Sequence, residues 1–179
     1  QVTVVELLDD VLMLLDPDVR GVVKKHMQET LGMTLLTGNA MQDIDAGDNG
    51  VTAAAGDQKL EADMLLVAIG RSPVTDGLDL EAAGVAVDGR GYVEVDELSR
   101  TNVPGIYCIG DVSGRMQLAH AATSQALYAV EHALQGAEKI EEVVIPGVIF
   151  TTPEVALVGL TETEAREQGR ETRMGTFHF

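Results

Sequence analysis

Gly105-Ile106-Tyr107-Cys108-Ile109-Gly110-Asp111 is followed six residues later by Gln117-Leu118-Ala119-His120. The first stretch reads as an apolar strand ending in a Gly-Asp step. The second opens a helix over about 118–135, with Leu118, Ala121, Ala122, Ala126, Ala129, Val130 and Ala133 on one face. Gly136 suits its C-terminal end. A carboxylate at a strand tip, beside a helix whose first amides lack partners, is an arrangement that faces a ligand. The amides favour negative charge, and the carboxylate accepts hydroxyl groups.

Upstream, Val2 to Glu6 reads as a short buried strand. A helix follows, with Asp16 placed to cap it, Pro17 at its first position and Gly32 just past its end. Val19, Val22, Val23, His26, Met27, Thr30 and Leu31 recur along it at helical spacing. Met33 to Ile44 reads as a strand, and Val51–Ala55 with Lys59–Ala62 as a hairpin across Gly56-Asp57. Met64 to Ile69 is an uninterrupted apolar run of strand length, closed by Gly70-Arg71-Ser72-Pro73. A short helix near Leu80–Ala83, a turn at Gly89-Arg90-Gly91 and a strand at Tyr92–Val95 follow.

Downstream, Val143–Phe150 and Val155–Val158 read as strands broken by Thr151-Thr152-Pro153. Thr161-Glu162-Thr163-Glu164 is a capping box opening a last helix, with Gly169 at its end. Arg173–Phe179 reads as a final strand. Strands alternating with helices define an α/β chain with a mostly parallel sheet. The chain starts and stops inside strands, so it reads as a fragment of a longer one.

The net charge of −17, with 29 acidic and 12 basic residues, disfavours nucleic acid and anionic membrane as partners. The apolar runs fall well short of the roughly 20 residues of a membrane span. Residues 1–15 carry Glu6, Asp9 and Asp10 and no basic lead segment, unlike a signal peptide. One cysteine excludes an internal disulfide. Together these point to the cytoplasm.

Four residues invite chemistry. Glu6, at the tip of a second strand in a dinucleotide fold, would bind adenosine ribose hydroxyls and repel a 2′-phosphate, selecting NAD over NADP. The glycine fingerprint that should precede it by roughly 20 residues would fall before residue 1. Asp111 would receive a sugar-chain hydroxyl, and the amides of Leu118, Ala119 and His120 would favour a reduced flavin, which carries its charge at N1 and the neighbouring carbonyl. Cys108, flanked by Tyr107 and Ile109 in an apolar strand, reads as a residue without a redox role, because a dithiol mechanism needs two thiols and no basic neighbour lowers its pKa. His26 reads as a half-buried helix residue, since no His or Cys stands at ligand spacing from it. Glu138, Glu141 and Glu142 read as a solvated linker.

In order along the chain, Val2–Asp9, Ala62–Pro73, Thr101–Asp111, Gln117–His120 and Val148–Gly159 resemble the pyridine nucleotide–disulfide oxidoreductases, most closely their dihydrolipoamide dehydrogenase branch. The resemblance implies a partial Rossmann-like NAD domain over 1–73, a linker and the return segment of the FAD domain over 74–142, and the start of an α+β dimerisation domain over 143–179. It places Glu6, Met41 and Gly70 near NAD, and Asp111 with Gln117, Leu118, Ala119 and His120 near FAD. It further implies a homodimer, a cysteine pair that passes electrons from a dihydrolipoyl dithiol through FAD to NAD, and service to a lipoyl-bearing complex. The family's two glycine motifs and paired cysteines are absent from this chain. So is its acid–base histidine, a role that His178 does not fill. No catalytic residue is therefore expected here, and no metal. The other readings are an inactive cofactor-domain remnant, a related flavin disulfide reductase such as mercuric reductase, and a one-electron ferredoxin-type reductase.

Overall fold

A computed structural model describes residues 1–136 and 144–177. The chain divides into two compact units, Gln1–Ala68 with Val148–Phe179, and Ile69–Gly147.

The first unit begins with a β-α-β crossover. Strand β1 (Thr3–Val5) leads to helix α1 (Pro17–Lys25) and back to β2 (Thr34–Leu36). The two strands pair in parallel, Thr3 opposite Thr34 and Val5 opposite Leu36, as a crossover helix requires. Pro17 occupies the first helical turn, Lys24 and Lys25 the last, so both ends suit the geometry and dipole of a helix. The helix continues through a π-turn, His26–Thr30, and stops at Gly32 (φ 62°). Val23 is 1% exposed and forms a core with Leu15 and Val155, against which Leu12, Val19 and Met27 pack.

Strands β3 (Met41–Gly47), β4 (Gly50–Ala55) and β5 (Gln58–Ala62) form an antiparallel meander. The β4–β5 hairpin turns at Gly56-Asp57 as expected. Strands β6 (Gly147–Ile149) and β7 (Val155–Leu157) pair with each other. Helix α3 (Glu162–Glu167) opens with the expected capping box: Thr161 Oγ1 accepts the Glu164 amide, and the Glu164 carboxylate accepts the Thr161 amide.

The second unit is built on loops that lean on one long helix, α2 (Ala119–Gln135). Its buried residues include Val85, Tyr92, Val93, Leu98, Ala121 and Ala129. Isolated bridges join Val87 to Val93 and Arg100 to Tyr107. A 3-10 turn, Gly110–Ser113, precedes α2, and Gly136 (φ 66°) ends it as expected.

Several expected elements differ. Met33–Ile44 is not one strand: Gly38 (φ 69°) and the Asn39 side chain, bonded to the Thr37 carbonyl, turn the chain between β2 and β3. Met64–Ile69 forms no strand, and Ile69 is 96% exposed. An apolar run becomes a strand only where neighbours complete its ladder, and no described strand pairs with it. Leu80–Ala83 makes turns and not a helix, closed by Gly84 (φ 70°). The expected strands at Tyr92–Val95 and Gly105–Ile109 shrink to the bridges at Val93 and Tyr107. Residues 173–177 form no strand. In place of one mostly parallel sheet there are small separate ones: the β1–β2 pair is parallel, and the three-stranded β3–β4–β5 sheet is antiparallel. Val22 and Leu31 are exposed, off the core stripe of α1. Val143, the acidic linker residues, His178 and Phe179 lie outside the described residues.

Candidate functional site

The expected flavin-side residues converge in the second unit. Gly110 takes φ 73°, a left-handed conformation open to glycine. A Cβ there would stand 3.3 Å from the Ala122 Cβ, so the backbone lies close on α2. Buried Gly110 is held through both of its backbone groups: its N–H donates to Gln125 Oε1 at 2.7 Å, and its carbonyl accepts from Ser113 Oγ at 2.8 Å. Asp111 follows at once, with its carboxylate exposed.

Arg71 reaches this carboxylate across forty residues of sequence, Nη1 to Oδ2 at 2.7 Å. The Arg71 carbonyl accepts the Tyr92 hydroxyl at 2.8 Å, and Gln117 Nε2 donates to that same hydroxyl oxygen at 3.3 Å. Tyr92 lies over Gly114 (φ 67°), where a Cβ would come 2.8 Å from the ring. Arg71, Tyr92 and Gln117 thus join Asp111 to the segment that leads into α2.

Leu118 is the N-cap residue of α2, in extended conformation, and no side chain caps the helix. The Ala122 amide is bonded to the Leu118 carbonyl. The Leu118 amide, expected to be unpaired, is instead bonded to the Met116 carbonyl at 2.9 Å, because Leu118 precedes the first turn; the amides of Ala119, His120 and Ala121 have no acceptor within the helix and form its positive end. His120 Nε2 donates to the Pro146 carbonyl at 2.7 Å, which engages the imidazole in structure.

The expected NAD-side residues are divided between the units. Glu6 extends the β1–β2 ladder through its amide, bonded to the Leu36 carbonyl, and its Oε1 accepts the Leu8 amide at 2.9 Å. That bond fixes the carboxylate at the strand tip. The backbone N–H of Asn39 donates to the Glu6 carbonyl, and half-buried Met41 opens β3 two residues on. Gly70, in the second unit, takes φ 142°, and a Cβ placed there would meet nothing within 4 Å; its backbone is open to close approach.

An open cleft of 580 Å³ lies beside the site, lined by Asp88, Tyr92, Glu94, Asp96, Glu97 and Arg115 among others. Its four carboxylates oppose an anionic ligand, so the chemistry does not centre there. Asp88 is held below its ordinary value by the Tyr92 and Arg90 amides. At Asp96 burial pushes the pKa up, but the Arg100 amide and guanidinium and the Leu98 amide together outweigh it, and the net shift is downward. Burial raises the Cys108 thiol, in keeping with an unreactive residue. His26 is half-buried as expected, with Nε2 shielded and unbonded. No cluster of metal-ligating side chains occurs among the described residues.

Sequence patterns do not single out Arg71, Tyr92 or Gln125. A basic residue two positions past the Met64–Ile69 run is the one local signal for Arg71. The other two act across 15 to 25 residues and carry no local mark.

Known proteins share this architecture. Residues 1–126 match the family described as pyridine nucleotide-disulphide oxidoreductase, and residues 145–179 match the dimerisation domain of the same family. A dihydrolipoyl dehydrogenase of Haloferax volcanii is 39% identical over 99% of this chain and 38% of its own length. Among solved structures, LpdA of Mycobacterium tuberculosis superposes with a TM-score of 0.82 at 32% identity, covering 93% of this chain and 36% of that one. The flavoprotein disulfide reductase RclA of Escherichia coli gives 0.81 at 31% identity, over 94% and 39%. The chain thus spans well under half the length of the relatives it matches. It belongs to the pyridine nucleotide-disulphide oxidoreductase family. Among the described residues no helix is long and apolar enough to cross a membrane.

Proposed function

We propose that this chain is the middle segment of a flavin-dependent disulfide oxidoreductase of the dihydrolipoamide dehydrogenase kind, which passes electrons from a dihydrolipoyl dithiol to NAD. One observation carries this reading: the Gly110-Asp111 step is held by Gln125 of α2, a helix whose N-terminus no side chain caps. The donor set suits FAD. Free amides at a helix start meet negative charge, an exposed carboxylate accepts hydroxyl groups, and Gly110 is packed where a side chain would intrude. FAD, when bound, supplies the two-electron relay between dithiol and nicotinamide. Asp111 would hold a hydroxyl of its sugar chain. The amides beginning α2, beside Gln117 and Leu118, would stabilise charge on the reduced ring.

Glu6, fixed by the Leu8 amide, would bind the NAD ribose and disfavour a 2′-phosphate. Gly70 and Met41 would line the same cofactor. On this reading residues 1–73 belong to an NAD domain, 74–142 to a linker and FAD segment, and 143–179 to a dimerisation domain, and the whole protein is a cytoplasmic homodimer that serves a lipoyl-bearing complex.

The isolated chain would be inactive. The proposed relay needs two thiols, and this chain has one cysteine. It would also bind NAD poorly; micromolar affinity in a titration of the 179 residues contradicts that part. The whole protein tests the main reading. It should reduce NAD with dihydrolipoamide as donor, and NADP at least tenfold more slowly. Failure with dihydrolipoamide but turnover with another disulfide or metal substrate would move it to a different branch of the family.

A further inference from the structure

We infer that Gln125 is a positioning residue for Asp111 and a neutral acceptor that leaves the charge of the flavin site to Asp111 and the helix. The inference rests on the flavin reading of Asp111. Gly110 is buried, so its N–H needs an acceptor inside the protein or is left desolvated and unpaired. Gln125 supplies that acceptor at 2.7 Å, from the second turn of α2. The carbonyl of Gly110, in the next peptide unit, accepts from Ser113 Oγ, itself buried. The direction of the next residue, Asp111, is set by this clamp and not by its own side-chain bond, which goes to exposed Arg71.

A glutamate at 125 would accept the same hydrogen bond. It would also add a negative charge one hydrogen bond from the Gly-Asp step, opposing the positive end of α2. Glutamine keeps the clamp without that charge. Position 125 therefore serves two separable purposes: the acceptor orients Asp111, and its neutrality favours the reduced flavin.

The test uses the whole flavoprotein and measures flavin affinity and midpoint potential for Gln125→Leu, Gln125→Glu, Asp111→Asn and the Gln125→Leu/Asp111→Asn pair. Gln125→Leu should weaken flavin binding about tenfold, and the pair should be no weaker than the worse single variant, because one residue acts through the other. Gln125→Glu should bind within about twofold of the parent. It should lower the potential by about 30 mV, a tenfold bias in a two-electron couple. Undiminished binding by Gln125→Leu, additive losses in the pair, or an unshifted potential in Gln125→Glu overturns the inference. If Gln125→Leu does not fold, Gln125→Glu decides alone through its retained flavin and lowered potential. If Asp111→Asn binds flavin like the parent, the flavin reading of Asp111 falls, and this inference with it; a loss in Asp111→Asn without one in Gln125→Leu removes the inference alone.

Discussion

Arg71 Nη1 and Asp111 Oδ2 stand 2.7 Å apart, tying the residue just past the Met64–Ile69 run to the Gly-Asp step. Both side chains are more than half exposed, at 65% and 54%, so water and salt screen the pair. Its contribution to stability is therefore small. Arg71→Met should cost less than about 1 kcal/mol in a urea titration, and the difference from the parent should shrink as salt is raised. A loss of several kcal/mol would mean that the second unit depends on the pair to fold.

Gly114 and Gly136 share a left-handed backbone, at φ 67° and 66°, but differ in surroundings. A Cβ at Gly114 meets the Tyr92 ring at 2.8 Å, while one at Gly136 meets nothing within 4 Å. Gly136→Ala should therefore cost only the conformational penalty, about 1 kcal/mol. Gly114→Ala adds overpacking against Tyr92 and should cost about 3 kcal/mol. Denaturant midpoints of the two variants compare these costs directly.

Asp16 stands at the start of α1, yet its carboxylate accepts the Glu162 amide at the start of α3, at 3.1 Å, and makes no cap bond to α1. Asp16→Ala should cost about 1 kcal/mol, and Asp16→Asn, which keeps an acceptor, clearly less. Amide exchange at Glu162 should speed up in Asp16→Ala. Unchanged exchange would show that the bond is not held in solution.

Asp96 gives a pH dependence of known sign. Its folded pKa lies below the ordinary 3.8, so its contribution is fully present above pH 3.8. That contribution is lost as the pH falls below 3.8 toward the folded value. Melting temperature followed from pH 6 downward should decline more steeply for the parent than for Asp96→Asn, with the difference opening below about pH 4. Parallel curves would remove Asp96 from the acid response.

What sequence made legible was local. The Thr161–Glu164 capping box, the Gly56-Asp57 hairpin and the Gly136 stop need only residues within a turn of one another, and all three form. The start of α2 is readable for the same reason, whereas the strand expected before Gly110-Asp111 shrinks to a bridge at Tyr107. Features that depend on distant partners were not. Met64–Ile69 has strand composition but finds no described neighbour to pair with. Asp16 has a nearby helix to cap and bonds instead to an amide 146 residues away. Gln125 looks like any polar helix residue until Gly110 is folded onto it. The family resemblance filled part of this gap, because it carries long-range arrangement that periodicity does not.

The most direct test of the central claim is the visible absorption spectrum of the whole protein, taken beside its intact mass, before and after addition of NADH. The predicted result is a yellow protein with flavin bound to each chain, bleached by NADH and far less readily by NADPH. A colourless protein of full mass that takes up no added FAD would contradict it, and Asp111 and the start of α2 would then have no flavin to serve.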